Sequence, residues 1–284
     1  MTDLIWNPTI FCLGQTQFDS QGLTEWMGHN DLEDHMMPQS ESPLAQLWRD
    51  VDDDFALERM IEFGGRHCYR SWTQGRDRHD YIRNIIEMEH GSVLEHSSIN
   101  LAIQGVSRSL THELVRHRVG VAISQESQRY VDAKDIQFVV PPLVAHLSGG
   151  QFSTESQLIQ DFASECEHAR LTYTLLQEQI VERVKAASPG VKSLTMIKKR
   201  ANEAARAHLP NAAETRCLWT PNMRLLRHFL WLRGGTGADL EIRRLAVELL
   251  DLAQERAPSV FGDLTTRVDN VSGYGVPIIV ANNA

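Results

Sequence analysis

Residues 98–104 read Ser-Ile-Asn-Leu-Ala-Ile-Gln, and this alternation constrains the chain more than any other stretch. Ile99, Leu101 and Ile103 occupy every second position among mostly polar or small neighbours, the pattern of a strand with one face on a core. Gly105 is read as its end. Ser107 then supplies the short hydroxyl that caps a helix through Leu110, Leu114 and Val115. A second strand is expected at 136–140, stopped by Pro141-Pro142.

Helical spacing dominates elsewhere. Tyr81, Ile82, Ile85 and Ile86 mark a helix over 80–88, broken by His90-Gly91-Ser92. A helix over 157–185 offers Leu158, Phe162, Leu171, Leu175 and Ile180 as core positions, and another runs over 193–208 up to Leu209-Pro210. Pro221 opens a helix over 222–233 that Gly234-Gly235 ends. The last helix, 239–256, buries Ile242, Leu245, Leu249 and Leu252 and stops before Pro258. Residues 14–54 are polar and aperiodic and are expected to form loops and peripheral structure, with a short helix near 44–48. The run Asp52-Asp53-Asp54 is read as a solvated face or helix start. No internal repeat or long linker divides the chain, so the expected class is α+β, a helix-rich single domain over 1–284.

Bulk properties narrow the function. With 42% hydrophobic and 23% charged residues among 284, the chain has an ordinary soluble composition. No apolar run nears the ~20 residues of a membrane span, and the first residues lack the pattern of a signal peptide. Cys12, Cys68, Cys166 and Cys217 are scattered without a CxxC pair. They read as small hydrophobes in a reduced, cytoplasmic setting rather than a zinc or disulfide framework. A net charge of −9 argues against a nucleic-acid polymer as partner. Yet residues 107–130 hold Arg108, Arg116, Arg118 and Arg129 with His112 and His117 against only Glu113 and Glu126, a local cationic pocket suited to a small anion.

Arg116-His117-Arg118 is followed by Ser124-Gln125-Glu126-Ser127-Gln128-Arg129-Tyr130. Two guanidinium forks at i and i+2 cannot share one helix face, but at a helix end they reach two ligands. His112-Glu113 with His117 is not a zinc motif, because the histidines stand five apart instead of four. His90, Glu95 and His96 could also serve as ligands, but ordinary hydrogen-bonded histidines are the favoured reading, so no metal is expected.

These residues resemble the signature of the flavin-dependent thymidylate synthases, Arg-His-Arg, seven residues, then Ser and x-Arg-Tyr. His90 to His96 resembles the family's His-x-Ser/Thr-x-x-Glu-His stretch, and Val106-Ser107-Arg108-Ser109 with His112 to Val115 resembles its lead-in helix. Ala205-Arg206-Ala207-His208-Leu209-Pro210, Asn222-Met223-Arg224, His228 and Leu232-Arg233 match further positions in order. The likeness covers about 55–262; 1–54 and 264–284 are peripheral and divergent. It implies a helix-rich fold with a mainly antiparallel sheet, FAD as cofactor, and NADPH and 5,10-methylenetetrahydrofolate as co-substrates. The implied reaction is reductive methylation of dUMP to dTMP. The implied assembly is a homotetramer with shared sites.

Residue by residue, the resemblance places dUMP against Glu113, Leu114, Val115, Arg116, Gln125, Glu126, Ser127, Gln128, Arg129, Arg206 and Arg233. It places FAD against Ser92, Arg116, His117, Arg118, Gln125, Asn222, Met223, Arg224 and His228. Arg233 is the catalytic candidate, a fixed cation beside the uracil ring. From its position alone a helix-terminal arginine complementing the dipole is the favoured reading, and the match of Leu232-Arg233 to the family motif reverses it. Two features depart from the family pattern. Eight residues separate Arg118 from Ser127, with Gly120 available to absorb the extra one, and Gly237 stands where a histidine is usual. They keep open a relative that transfers a hydroxymethyl group. A non-catalytic flavin- or nucleotide-binding homologue is the other alternative. The unrelated cysteine-nucleophile synthases are set aside, since no cysteine here follows a proline.

Overall fold

The computed structural model describes residues 3–37, 39–49, 55–73, 75–150, 152–187 and 193–282; the Asp52-Asp53-Asp54 run lies outside them. In chain order the elements are β1 (Leu4–Ile5), β2 (Thr9–Gln15), α1 (Ser20–His29), α2 (Pro43–Arg49), α3 (Ala56–Tyr69) and α4 (Arg78–Glu87). A 3-10 turn at Gly91–His96 leads into β3 (Ile99–Ser107), α5 (Arg108–Leu114), β4 (Val121–Gln125), β5 (Phe138–Val139), α6 (Pro142–Leu147) and α7 (Gln157–Ala187). Then come α8 (Leu194–Ala205), β6 (Glu214–Pro221), α9 (Met223–Arg233), α10 (Leu240–Arg256), α11 (Pro258–Phe261), β7 (Leu264–Arg267) and β8 (Ile278–Ala281).

The central sheet has the order β2-β3-β6-β4, antiparallel throughout. The alternation read in the sequence supplies its inner face: Ile99, Leu101 and Ile103 join Cys217 and Trp219 of β6 beneath α9 and α10. Gly105 does not end the strand. It sits at a bulge with φ of 72°, and β3 resumes through Val106 and Ser107. A side chain there would meet the Asn7 carbonyl at 2.9 Å, so the position requires glycine. The expected Ser107 cap is present, its Oγ accepting the Leu110 amide at 3.0 Å.

Several expectations are corrected. Residues 14–54 are not merely peripheral loops: α1 and α2 build a second core from Leu23, Met27, Leu44, Leu47 and Trp72, with Trp26 edge-on to Phe63 at 5.1 Å. The strand expected over 136–140 shrinks to β5, which pairs in parallel with β1. Pro221 closes β6 instead of opening a helix, and Asn222 caps α9 by accepting the Leu225 amide at 2.8 Å. The buried face of α7 is Ile159, Cys166, Tyr173 and Gln177, whereas Leu158, Leu171 and Leu175 are exposed. Polar bonds fix that rotation. Tyr173 Oη accepts the Ala133 amide at 3.2 Å, and Gln177 donates to Asn202 at 2.8 Å.

Candidate active site

α5 ends at Leu114, so Arg116-His117-Arg118 falls in the turn beyond the helix. His117 turns inward and is buried, while Arg116 and Arg118 on either side are exposed. Gly120 completes the turn at φ of 73°, and its amide oxygen accepts the Asn222 N–H at 2.8 Å. A Cβ at Gly120 would lie 2.3 Å from the side-chain Nδ2 of Asn222. The turn and the start of α9 are thereby locked together, and β4 begins at the next residue.

Arg233, the last residue of α9, reaches across to this turn. Its Nη1 donates to Glu113 Oε2 at 2.5 Å and its Nε to His117 Nε2 at 3.1 Å. His117 also lies edge-on to Phe229, with centroids 5.2 Å apart, and 6.2 Å from the His228 ring. Burial, then the positive charge of Arg233, then His228 push the His117 pKa down to about 4. The imidazole is neutral at pH 7, and Nε2 keeps the lone pair that accepts from Arg233. Four of the residues expected at the site, Arg233, Glu113, His117 and His228, form one cluster.

A second group surrounds the start of α5. Burial, and then the like charge of Arg206, lower the Arg108 pKa. Two guanidinium groups near enough to oppose each other's charge make a place for an anion. Arg108 enters the sequence reading only as part of the local charge; its pairing with Arg206 is a tertiary fact. Gln125 of β4 ties α5 to β6, donating to Thr111 at 3.0 Å and Thr215 at 3.2 Å. Glu126 is exposed and bound to β6 through its amide, which donates to the Arg216 carbonyl at 2.9 Å. Ser127 accepts the Arg129 amide at 3.4 Å in a turn that also carries Gln128. The Arg129 guanidinium is tied to Glu203 at 3.2 Å, so reaching a ligand requires sharing that acid.

A third group lies on the 3-10 turn. Ser92, Gly91 and Arg224 line a cavity of about 330 Å³ with Tyr81, Tyr69 and Cys68, and Arg224 pairs with Glu95. Leu114 and Met223 stand apart from the other expected residues, because their side chains are buried in the core and leave only backbone to meet a ligand. Val115 is exposed at the end of α5. Among the described residues no group of three or more His, Cys, Asp or Glu could hold a metal, and no helix is long and apolar enough to cross a membrane.

Residues 52–259 match the family model described as thymidylate synthase complementing protein. A flavin-dependent thymidylate synthase of Mycolicibacterium vanbaalenii is 42% identical over 218 residues, 75% of this chain and 81% of the relative. The chain belongs to the flavin-dependent thymidylate synthase family. One from Mycolicibacterium gilvum is 40% identical over 228 residues, covering 79% of this chain and 85% of that one. Among solved structures, a UMP/dUMP methylase PolB from Streptomyces cacaoi superposes with a TM-score of 0.57 over 92% of this chain and 95% of that chain. At 18% identity that likeness concerns the fold, helix-rich α+β with a mainly antiparallel sheet.

The neutral state of His117 has a measurable consequence. A histidine lowered from 6.5 to about 4 binds fewer protons folded than unfolded between those values. Its contribution to stability is present above pH 6.5 and is lost as pH falls toward 4. One pKa unit corresponds to ~1.4 kcal/mol, so the loss is a few kcal/mol at most. Denaturant titrations at roughly pH 7, 5.5 and 4.5, spanning the window between the two pKa values, should show stability falling faster in the wild type than in His117→Phe. Equal slopes would mean that His117 is not held neutral.

Proposed function

We propose that this protein converts dUMP to dTMP, with 5,10-methylenetetrahydrofolate as the carbon donor, NADPH as the reductant and FAD as the flavin. The observation that carries the proposal is Arg233, a guanidinium oriented by an acid on one side and a neutral imidazole on the other. C5 of uracil is a weak nucleophile until negative charge builds on the ring, and a preorganised cation stabilises that charge where it develops. Arginine keeps its proton, so Arg233 acts electrostatically and another group accepts the ring proton. Glu113 and His117 restrict its rotamers without adding a second positive charge. Arg206 and Arg108 favour the substrate phosphate, and Gln125 to Arg129 the rest of the nucleotide.

The residues fit a flavin dinucleotide. Exposed Arg116, Arg118 and Arg224 offer cationic donors for its phosphates, and the side-chain-free Gly91 leaves the Arg224 stem room beside Ser92 and the 330 Å³ cavity. A bound flavin would supply the hydride chemistry. The purified protein should carry FAD that NADPH bleaches under anaerobic conditions; FMN alone, or no saturable flavin, would contradict the assignment. We place the enzyme in a reducing cytoplasm, consistent with four free cysteines.

The arginines stand at open surfaces, and we propose that copies of the chain close them in a homotetramer with shared sites. Light scattering should then give about four times the 32.2 kDa chain. Arg233→Ala and Arg206→Ala proteins, each impaired alone, should regain part of the wild-type activity when mixed and reassembled. A fully active monomer would contradict shared sites.

A further inference from the structure

We infer that the C-terminal segment 264–282 positions Arg233, acting through the loop 234–238 that follows it. The inference rests on the reading of Arg233 as the group that activates the ring. Because Arg233 closes α9, its direction depends on how the helix end and the next residues are held. That loop reads Gly234-Gly235-Thr236-Gly237-Ala238, and the space around Gly237 is open. Such a stretch loses much backbone freedom on ordering and needs outside contacts to stay fixed. The C-terminal segment provides them at two places, although it lies past the 52–259 stretch matched by the family.

The first is Gly234. Its N–H donates to the Leu230 carbonyl at 2.8 Å, and its own carbonyl accepts the Ile279 N–H at 2.9 Å from β8. A Cβ on Gly234 would stand 2.6 Å from the Ile279 side chain, so β8 lies directly against the end of α9. The second is Arg243 of α10, whose side chain is 1% exposed. Its Nη2 donates to the Thr236 carbonyl at 2.6 Å and its Nη1 to Asp269 Oδ2 at 3.0 Å.

Asp269 is in turn fixed by the amides of Val271 and Ser272 at 3.1 and 3.0 Å and by the Ser272 hydroxyl at 2.9 Å. The Ser272 bonds come first among the causes that hold its carboxyl down at about 2, so it stays charged opposite Arg243. A chain of bonds thus runs from the C-terminal turn through Asp269 and Arg243 to the loop, while the Arg233 guanidinium itself is met by Glu113 and His117. Asp269 and Ile279 are therefore positioning residues.

The test is a double-mutant cycle on the FAD-loaded enzyme, with flavin reduction by NADPH, dUMP binding and single-turnover methyl transfer measured separately. Ile279→Ala and Asp269→Asn should each slow methyl transfer by about 10-fold, less than the ~10²-fold loss of a preorganised donor. Flavin reduction and dUMP affinity should stay near wild type. Asp269→Glu, which keeps the charge, should recover part of the rate. In an Arg233→Ala background neither substitution should slow the step further. If Asp269→Asn does not fold, Ile279→Ala alone completes the cycle. The same loss in both backgrounds, or no loss in either, would overturn the positioning role while leaving Arg233 intact. An Arg233→Ala enzyme with normal methyl transfer would instead overturn the reading beneath it.

Discussion

Arg233→Ala is expected to yield a folded, flavin-binding protein whose flavin is still reduced by NADPH but whose methyl transfer falls by ~10²-fold, the scale of losing one preorganised electrostatic donor. Folding should survive because the partner left behind is tolerable. Glu113 is 35% exposed and can be rehydrated, and neutral His117 loses only one donor. Arg233→Lys should recover little, since an ammonium on a flexible stem cannot bond Glu113 and His117 together as the planar fork does. If Arg233 served only the helix dipole, the substitution would cost ~0.3–1 kcal/mol of stability and leave the rate unchanged. Separate measurements of flavin reduction and dTMP formation distinguish the two.

Arg206→Ala is expected to weaken dUMP binding by ~1.5–3 kcal/mol, the range for a hydrogen bond to a charged group. FAD content should stay near wild type. The structure adds a second sign to this prediction. Arg206 opposes the charge of the partly buried Arg108, so removing it relieves repulsion in the ligand-free protein. Thermal stability without dUMP should hold or rise while dUMP affinity falls. Isothermal titration and thermal melts of the same samples check both signs. A parallel loss of stability, FAD and dUMP would show that Arg206 supports the fold instead.

What the sequence made legible follows from where hydrophobicity and function coincide with local pattern. β3, α9 and α10 were readable because their buried residues recur at the period of the element. β6 was not, since Thr215, Cys217 and Trp219 face inward while Leu218 faces out, which blurs the alternation. α3 was hidden for the opposite reason: Glu58, Arg59, Glu62 and Arg66 are buried, inverting the expected pattern, with Glu58 held by Ser259 and Arg59 by the Leu47 carbonyl. Glu62 binds Arg66 at 2.8 Å and Arg78 at 3.1 Å, and Arg59 lies over the Phe18 ring at 4.4 Å. At the site, the resemblance supplied Arg233, Glu113, His117 and His228, but nothing local to any of them announces that they meet. The Arg108–Arg206 opposition joins residues about a hundred apart and is visible only in three dimensions.

The most direct test of the proposed function is product analysis after the protein is incubated with FAD, NADPH, 5,10-methylenetetrahydrofolate and dUMP. The expected product is dTMP, formed by the FAD-loaded protein only when NADPH, the folate and dUMP are all supplied, and slowed ~10²-fold by Arg233→Ala. A hydroxymethylated nucleotide, or bleached flavin with unchanged dUMP, would contradict the proposal.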